Sequence, residues 1–324
     1  MVYPALTHWA NVCRAPGARS LRRTMETLTP EWAEYALVDS GDGRKLERFG
    51  EYALVRPEPQ AKWAAKLGAA RWDAADAEFV KGRAGRGGEW KFRKAIPARW
   101  EMKRKDFRFW VQPAPSGHVG VFPDQACHWD WIAERSKRAG GEVKALCLFG
   151  HTGLATLAAA AAGAKVTHID ASRQAIEVAR ENQSLSGLKE RPIRWIAEDA
   201  LTFVRREARR GNRYNAMMID PPRFGRGPDG EMWKLEESLA ELLEACGKLL
   251  DGGMVFVLLN VYTTVVTQGR TENDTRRLRT GLQNMLKGFR ATVSWGELAL
   301  QDGAQRRIST SVFARAEFGN VGWA

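Results

Sequence analysis

Residues 143–170 read VKALCLFGHTGLATLAAAAAGAKVTHID, and this stretch sets the architecture. Val143 to Phe149 is a short apolar run of the kind buried on both faces of a sheet. Leu154 to Ala162 is an Ala-rich helix, and Val166 to Asp170 is a second apolar run. Gly150 and Gly153, three residues apart, permit a tight turn and close backbone approach between strand and helix. Two strands joined by a crossover helix must lie parallel.

The same rhythm continues toward the C-terminus. Arg173 to Leu185 is an amphipathic helix, followed by a strand at Ile193 to Ala197, a helix at Ala200 to Arg210, a strand at Tyr214 to Asp220, a helix at Leu235 to Leu250 and a strand at Met254 to Asn260. These five βα units predict an open parallel sheet. Thr275 to Leu286 is a further helix. Ala291 to Leu300 and Ile308 to Phe318, joined by a polar turn containing Asp302-Gly303, predict an antiparallel hairpin on the sheet edge.

Toward the N-terminus the text changes. Tyr35 to Val38, Lys45 to Phe49 and Tyr52 to Val55 are separated by Asp39-Ser-Gly-Asp-Gly43 and by Gly50, the pattern of a hairpin and a third strand. Trp63, Trp72, Trp90 and Trp100 follow among Gly-rich and charged connectors. Residues 30–117 are therefore expected to form a small antiparallel β domain, linked through Pro113 to Gly117 to an α/β domain over 118–324. Residues 1–29 read as a disordered leader or a mis-assigned start: Arg14, Arg19, Arg22 and Arg23 precede any acid, and Met25 opens a new polar stretch.

With 44% hydrophobic and 27% charged residues in 324, the composition excludes fibrous, disordered and disulfide-stapled classes. Four scattered cysteines show no CxxC pair and the five histidines no ligand spacing, so no metal site is expected. The sparse cysteines and the lack of a secretory or transmembrane apolar run read as cytoplasmic. Lys and Arg exceed Asp and Glu by 50 to 38, the footprint of a nucleic-acid partner. The excess is +8 over residues 1–118 (22 against 14) and +4 over 119–324 (28 against 24). Residues 81–108 hold eleven cations against three acids, interleaved with Trp90, Phe92, Trp100, Phe107, Phe109 and Trp110. That composition suits a surface gripping phosphates and stacking bases, or an aromatic core beneath a solvated basic face.

Ligands of an open parallel sheet bind beyond the carboxyl ends of its strands. The first strand ends in Phe149-Gly-His-Thr-Gly153, a ligand loop or a plain glycine turn. The second ends in Asp170, placed to accept ribose hydroxyls or to cap the next helix. The third ends at Asp199-Ala200, adenine contact or helix cap. The fourth ends in Asp220-Pro221-Pro222-Arg-Phe-Gly225, where two prolines stiffen the loop and aim the aspartate at the crevice.

Together these strings resemble the class I S-adenosylmethionine-dependent methyltransferases over residues 118–324. More narrowly, His118-Val-Gly-Val-Phe-Pro-Asp-Gln125, Asp170-Ala-Ser172, Ala179-Arg-Glu-Asn182 and Asp220-Pro-Pro-Arg-Phe224 resemble the bacterial large-subunit ribosomal RNA methyltransferases I and K. The resemblance implies a Rossmann-like seven-stranded sheet with its last strand antiparallel, and S-adenosyl-L-methionine as cofactor. It implies that Gly150, Thr152 and Gly153 in the Phe149 loop hold the methionyl part. Asp170 and Ala171 would hold the ribose, Asp199 and Ala200 the adenine, with Phe122 and Gln125 closing over them. Asp220, Pro221 and Pro222 would serve the methyl acceptor. His151 and Arg223 depart from the family's aromatic residues, which disfavours adenine N6 as target. Cytosine C5 needs a thiolate after the fourth or fifth strand, and none stands there. The expected reaction is direct methyl transfer to a ring nitrogen or exocyclic amine of structured RNA, ribosomal RNA in particular. The alternatives are a nicotinamide-dependent oxidoreductase, which would want GxGxxG, and a catalytically silent RNA-binding protein.

Overall fold

In the computed structural model, which describes residues 26–82, 87–262 and 268–319, strand β1 (Glu26–Leu28) precedes a five-stranded sheet. That sheet comprises β2 (Tyr35–Gly41), β3 (Arg44–Phe49), β4 (Tyr52–Pro57), then, after the short helix α1 (Ala69–Asp73), β5 (Ala77–Lys81) and β6 (Gly88–Phe92), in the order β2-β3-β4-β5-β6. The first turn contracts to Asp42-Gly43, with φ of 51° and 74°, so Asp39 to Gly41 belong to β2. Two positive-φ residues match the right-handed twist of the flanking strands. The small sheet is antiparallel as expected apart from one pair: β4 and β5 run parallel, because residues 58–76 carry the chain back before β5 begins. The antiparallel ladder β7 (Trp100–Arg104) and β8 (Phe107–Val111) follows.

A single 3-10 turn at Pro123–Gln125 leads into α2 (Ala126–Arg138). Then come β9 (Lys144–Leu148), α3 (Leu154–Ala161), β10 (Lys165–Asp170), α4 (Arg173–Leu185), β11 (Ile193–Ala197), α5 (Ala200–Arg209) and β12 (Ala216–Ile219). A small hairpin, β13 (Phe224–Arg226) and β14 (Met232–Lys234), precedes α6 (Leu235–Gly247), β15 (Phe256–Tyr262), α7 (Gln268–Met285), β16 (Thr292–Gln301) and β17 (Arg307–Glu317). The large sheet runs β1-β16-β17-β15-β12-β9-β10-β11, with β17 antiparallel to both neighbours. The seven expected strands are present with an eighth beside them. Glu26–Leu28, assigned above to the leader, adds to the sheet edge in parallel with β16, where a Cβ on Gly296 would lie 2.0 Å from the Glu26 carbonyl oxygen. The remainder of the leader, residues 1–25, lies outside the described residues.

Nor is the join near residue 118 a free tether. Gln112 N donates to Val119 O and Ala114 N to His118 O, so Pro113 to Gly117 form a closed turn. One apolar cluster unites Tyr35, Phe49 and Phe109 with Trp129, Leu157 and Ile308. Ser40 donates to Asp302 at 2.6 Å and Arg306 pairs with Asp39, tying β2 to the β16–β17 turn. The small sheet is thus joined to the large one by burial as well as by polar contacts. The strand order reverses between β9 and β12, the position at which such sheets open a crevice.

Candidate active site

The loop from β9 to α3 is bent to an unusual degree. Phe149, His151 and Gly153 all have positive φ (57°, 49° and 86°), and two of them carry side chains. Left-handed backbone at non-glycine residues costs free energy and concentrates at functional sites. Each glycine has a steric reason. A Cβ on Gly150 would meet the buried His168 ring at 2.2 Å, and one on Gly153 the Ala179 Cβ at 2.9 Å. Thr152 donates to Gly120 O (2.7 Å), and Asn182 donates to Thr152 O (2.9 Å) while accepting from Trp110 N (2.9 Å). The loop is therefore pinned to α4, to β8 and to the segment before α2.

Below this loop lies a cavity of about 620 Å³, within the range of small-molecule sites. Phe122, Gln125, Phe149, Gly150, Thr152, Asp170, Ala171, Asp199, Ala200, Asp220, Pro221 and Pro222 all line it. Gly153 alone of the proposed site residues does not; it shapes the turn and heads α3. Asp170 accepts from His151 N and Ser172 N, both at 2.8 Å. It does not cap α4, a task performed by Ser172 through Ala175 N. Asp199 both lines the cavity and caps α5 through Thr202 N at 2.8 Å, so the two readings of that residue coexist. His118, Phe122 and His151 stack in sequence along the rim, with ring centroids 5.5 and 5.4 Å apart. Burial, with Arg56 adding to it, pushes His118 down to about 4.

Asp220 sits at the far side. Asn260 Nδ2 donates to its Oδ1 at 2.7 Å and Gln125 Nε2 to its Oδ2 at 3.3 Å. Burial lifts its carboxyl to about 7; the Asn260 hydrogen bond opposes the rise and nearby Asp124 adds to it. The proline loop is anchored by Trp233, whose Nε1 donates to Pro222 O (2.6 Å) and whose ring lies 4.9 Å from Phe149. Tyr262 (49% exposed) and Phe122 (38%) line the cavity and are two of the six large hydrophobics exposed among the described residues; two more, Phe224 and Met232, stand on the β13–β14 hairpin and do not line it.

Several of these partners had no motif to announce them. Asn260 is legible in the sequence only as the end of the fifth strand. The one available signal was a polar residue closing the apolar run Phe256-Val-Leu-Leu-Asn260. Trp233 carries none, whereas Asp124 stands inside the His118 to Gln125 string with no role of its own assigned there.

The basic stretch is largely spoken for. Trp100, Phe107 and Phe109 are core residues, whereas Phe92 is exposed. Arg93 pairs with Glu78, Lys94 with Asp76, Arg99 with Glu181 and Arg108 with Glu101. Arg104 is only 8% exposed, binding Asp130 and the Glu31 carbonyl. Among the described residues, burial disfavours the thiolate at each cysteine, pushing Cys147 and Cys246 up to about 12 and Cys127 up to about 11. Cys147 does line the cavity, but from within β9. Among the described residues no group of three or more His, Cys, Asp or Glu could hold a metal, and no helix is long and apolar enough to cross a membrane.

No family model matches the chain. Curated relatives include ribosomal RNA large subunit methyltransferase K/L of Shewanella frigidimarina, 34% identical over 142 residues (43% of this chain, 19% of that protein). Another is ribosomal RNA large subunit methyltransferase I of Aeromonas hydrophila, 30% identical over 113 residues (35% and 26%). The chain thus spans about a fifth to a quarter of the length of these relatives. Among solved structures, the fold matches SMU.776, assigned as a methyltransferase and complexed with S-adenosylhomocysteine, at TM-score 0.62 and 15% identity (86% of this chain, 73% of that one). The SAM-dependent methyltransferase from Agrobacterium tumefaciens matches at TM-score 0.84 and 38% identity, over 92% of this chain and 94% of that one. The comparisons support neither the nicotinamide-dependent nor the catalytically silent alternative. With nearly complete mutual coverage at that identity, the chain belongs to the S-adenosylmethionine-dependent methyltransferases.

Proposed function

We propose that this protein transfers the methyl group of S-adenosylmethionine to a nitrogen of a nucleotide in structured RNA, ribosomal RNA in particular, in the cytoplasm. The observation that carries the reading is the lining of one cavity. The Gly150 loop, Asp170 and Asp199, which follow β9, β10 and β11, line it together with Asp220-Pro-Pro222, which follows β12, and with the exposed Phe122 and Tyr262. The ribosomal RNA methyltransferases among the relatives support the choice of acceptor.

The residues present fit the cofactor. It is cationic at sulfur and at its amino group, and the carboxylates of Asp170, Glu198, Asp199 and Asp220 line the cavity. Gly150 and Thr152, in the turn shaped by Gly153, would hold its methionyl part. Asp170 with Ala171 would hold the ribose, Asp199 with Ala200 the adenine, and Phe122 with Gln125 would cover it. Bound there, it supplies an electrophilic methyl group on a sulfonium. Asp220 accepts a hydrogen bond from the acceptor's N–H and takes up the proton released when nitrogen gains the methyl group. A carboxyl near 7 suits that task at neutral pH. Pro221 and Pro222, locked through Trp233, keep the carboxylate from drifting away from the acceptor. Tyr262 and Phe122, exposed in the cavity lining, offer faces on which an unstacked base can rest. Nitrogen rather than cytosine C5 is the acceptor in this reading because no cysteine follows the fourth or fifth strand of the parallel sheet at its carboxyl end.

The test is nucleoside mass spectrometry of ribosomal RNA from cells with and without the gene, followed by restoration in vitro with purified protein and S-adenosylmethionine. One methylated nucleoside should disappear on deletion and return on incubation. Identical RNA from both strains, inert toward the purified enzyme, would overturn the RNA assignment.

A further inference from the structure

Behind Asp220, on the side away from the Gly150 loop, runs a buried polar chain that the motifs do not include. Arg315 on β17 donates through Nη2 to His128 Nδ1 (2.5 Å) and to Cys127 O (3.1 Å). Because Nδ1 accepts, His128 carries its proton on Nε2 and donates it to Asn260 Oδ1 at 3.2 Å. With its oxygen so engaged, Asn260 can turn only its amide nitrogen toward Asp220, and does so at 2.7 Å. His128, Asn260 and Arg315 are 1%, 1% and 6% exposed.

This arrangement is expensive as a stability device. The Arg315 guanidinium lies over the Trp131 and Phe313 rings (4.9 and 4.8 Å) and directs its proton at an imidazole rather than a carboxylate. Glu26 and Glu317 act on this guanidinium only from beyond ion-pair distance, so its burial costs stability, and apolar residues of similar volume would pack at least as well. Burial, reinforced by Arg315, keeps His128 far below its ordinary pKa, so the ring stays neutral and its tautomer fixed. What the chain delivers is one oriented N–H at the carboxyl that faces the methyl acceptor.

We infer that Arg315, His128 and Asn260 form a positioning relay that fixes the orientation and the protonation of Asp220 for methyl transfer. The inference rests on the role proposed above for Asp220. The other titratable and charged groups around that carboxyl are Asp124 from the turn before α2 and Cys147 from β9. The relay supplies a hydrogen bond favouring the ionised form, against both burial and Asp124.

The experiment compares Asn260→Ala, His128→Leu and His128→Gln, the last retaining an N–H near the Nε2 position. Asp220 is titrated by the infrared difference between each protein and its Asp220→Asn counterpart, with S-adenosylhomocysteine bound. The carboxyl titration should move to higher pH in Asn260→Ala and His128→Leu and return toward the wild-type position in His128→Gln. Cofactor affinity should stay within about twofold. If the acceptor is RNA, kcat on ribosomal RNA from the deletion strain should fall about 10²-fold in the first two variants, with KM little changed and partial recovery in the third. An unmoved titration in folded Asn260→Ala and His128→Leu overturns the relay, whatever RNA does. Failure of wild-type protein to methylate RNA overturns only the acceptor, because the titration needs none. Should His128→Leu strand Arg315 and unfold, His128→Leu with Arg315→Met removes the charge as well, and the same titration decides.

Discussion

Removing the Asp170 carboxylate separates a cofactor-binding role from a local one. The side chain accepts two backbone N–H groups at 2.8 Å, from His151 in the bent loop and from Ser172 at the start of α4. In the proposed complex it also accepts from the ribose hydroxyls. A hydrogen bond to a charged group contributes roughly 1.5–3 kcal/mol, so Asp170→Ala should lose about 3 kcal/mol of S-adenosylhomocysteine binding, or about 150-fold in Kd. Asp170→Asn keeps one acceptor oxygen and loses the charge, so about 1.5 kcal/mol, near tenfold, is expected. The two backbone bonds belong to the free protein as well. Their loss, offset in part by water at this half-buried site, should lower unfolding stability by about 3 kcal/mol in Asp170→Ala, without unfolding the chain. Titration calorimetry with S-adenosylhomocysteine gives the affinities, and thermal unfolding without ligand gives the second quantity. A folded Asp170→Ala protein that binds within twofold of wild type would show that Asp170 only holds the loop, and the ribose assignment would fall.

Three further outcomes are expected. Charge reversal at exposed Lys103 and Lys105 should weaken RNA binding and flatten its log–log salt dependence by up to about 0.9 per lost phosphate contact, whereas Arg104→Ala should unfold more easily by roughly 1–3 kcal/mol because it removes a buried guanidinium bonded to Asp130 and the Glu31 carbonyl and packed on Trp32, while Lys105 still pairs with Asp130. Filter binding at several salt concentrations and urea unfolding check the two arms. The isolated segment 119–324 should fail to give a cooperative unfolding transition, since Trp129, Leu157 and Ile308 lose their partners Tyr35, Phe49 and Phe109. Finally, a carboxyl raised to about 7 binds more protons in the native than in the unfolded state between about pH 4 and 7. Wild-type stability relative to Asp220→Asn should therefore fall as pH rises through that window, by at most a few kcal/mol, while methyl transfer rises through about pH 7. Denaturant titrations at pH 4, 5.5 and 7 test the sign.

The order of strands and helices from Val143 onward was legible in the residues because period and punctuation are local properties. Apolar runs of strand length, glycine turns and the Asp302-Gly303 hairpin each report on a few neighbouring residues, and the βα alternation then leaves little choice of sheet. The cavity lining was legible for a similar reason: loops at strand ends sit where topology puts them, so Asp170, Asp199 and Asp220 could be named from position and residue type. What depends on residues far apart in the chain was not. The Glu26 strand on the edge of β16 exists because Gly296 lets a distant backbone approach, and no local pattern of three residues records that. The basic stretch at 81–108 looked like a free surface until its cations met Glu78, Asp76 and Glu181. The apparent boundary near residue 118 vanished once Phe109 and Trp129 were seen in one core. Asn260, His128 and Arg315 come from three separate elements and acquire meaning only together. Hydrogen-bond direction is settled by the partners each atom finds, and those partners are chosen by tertiary packing, which one-dimensional spacing does not encode.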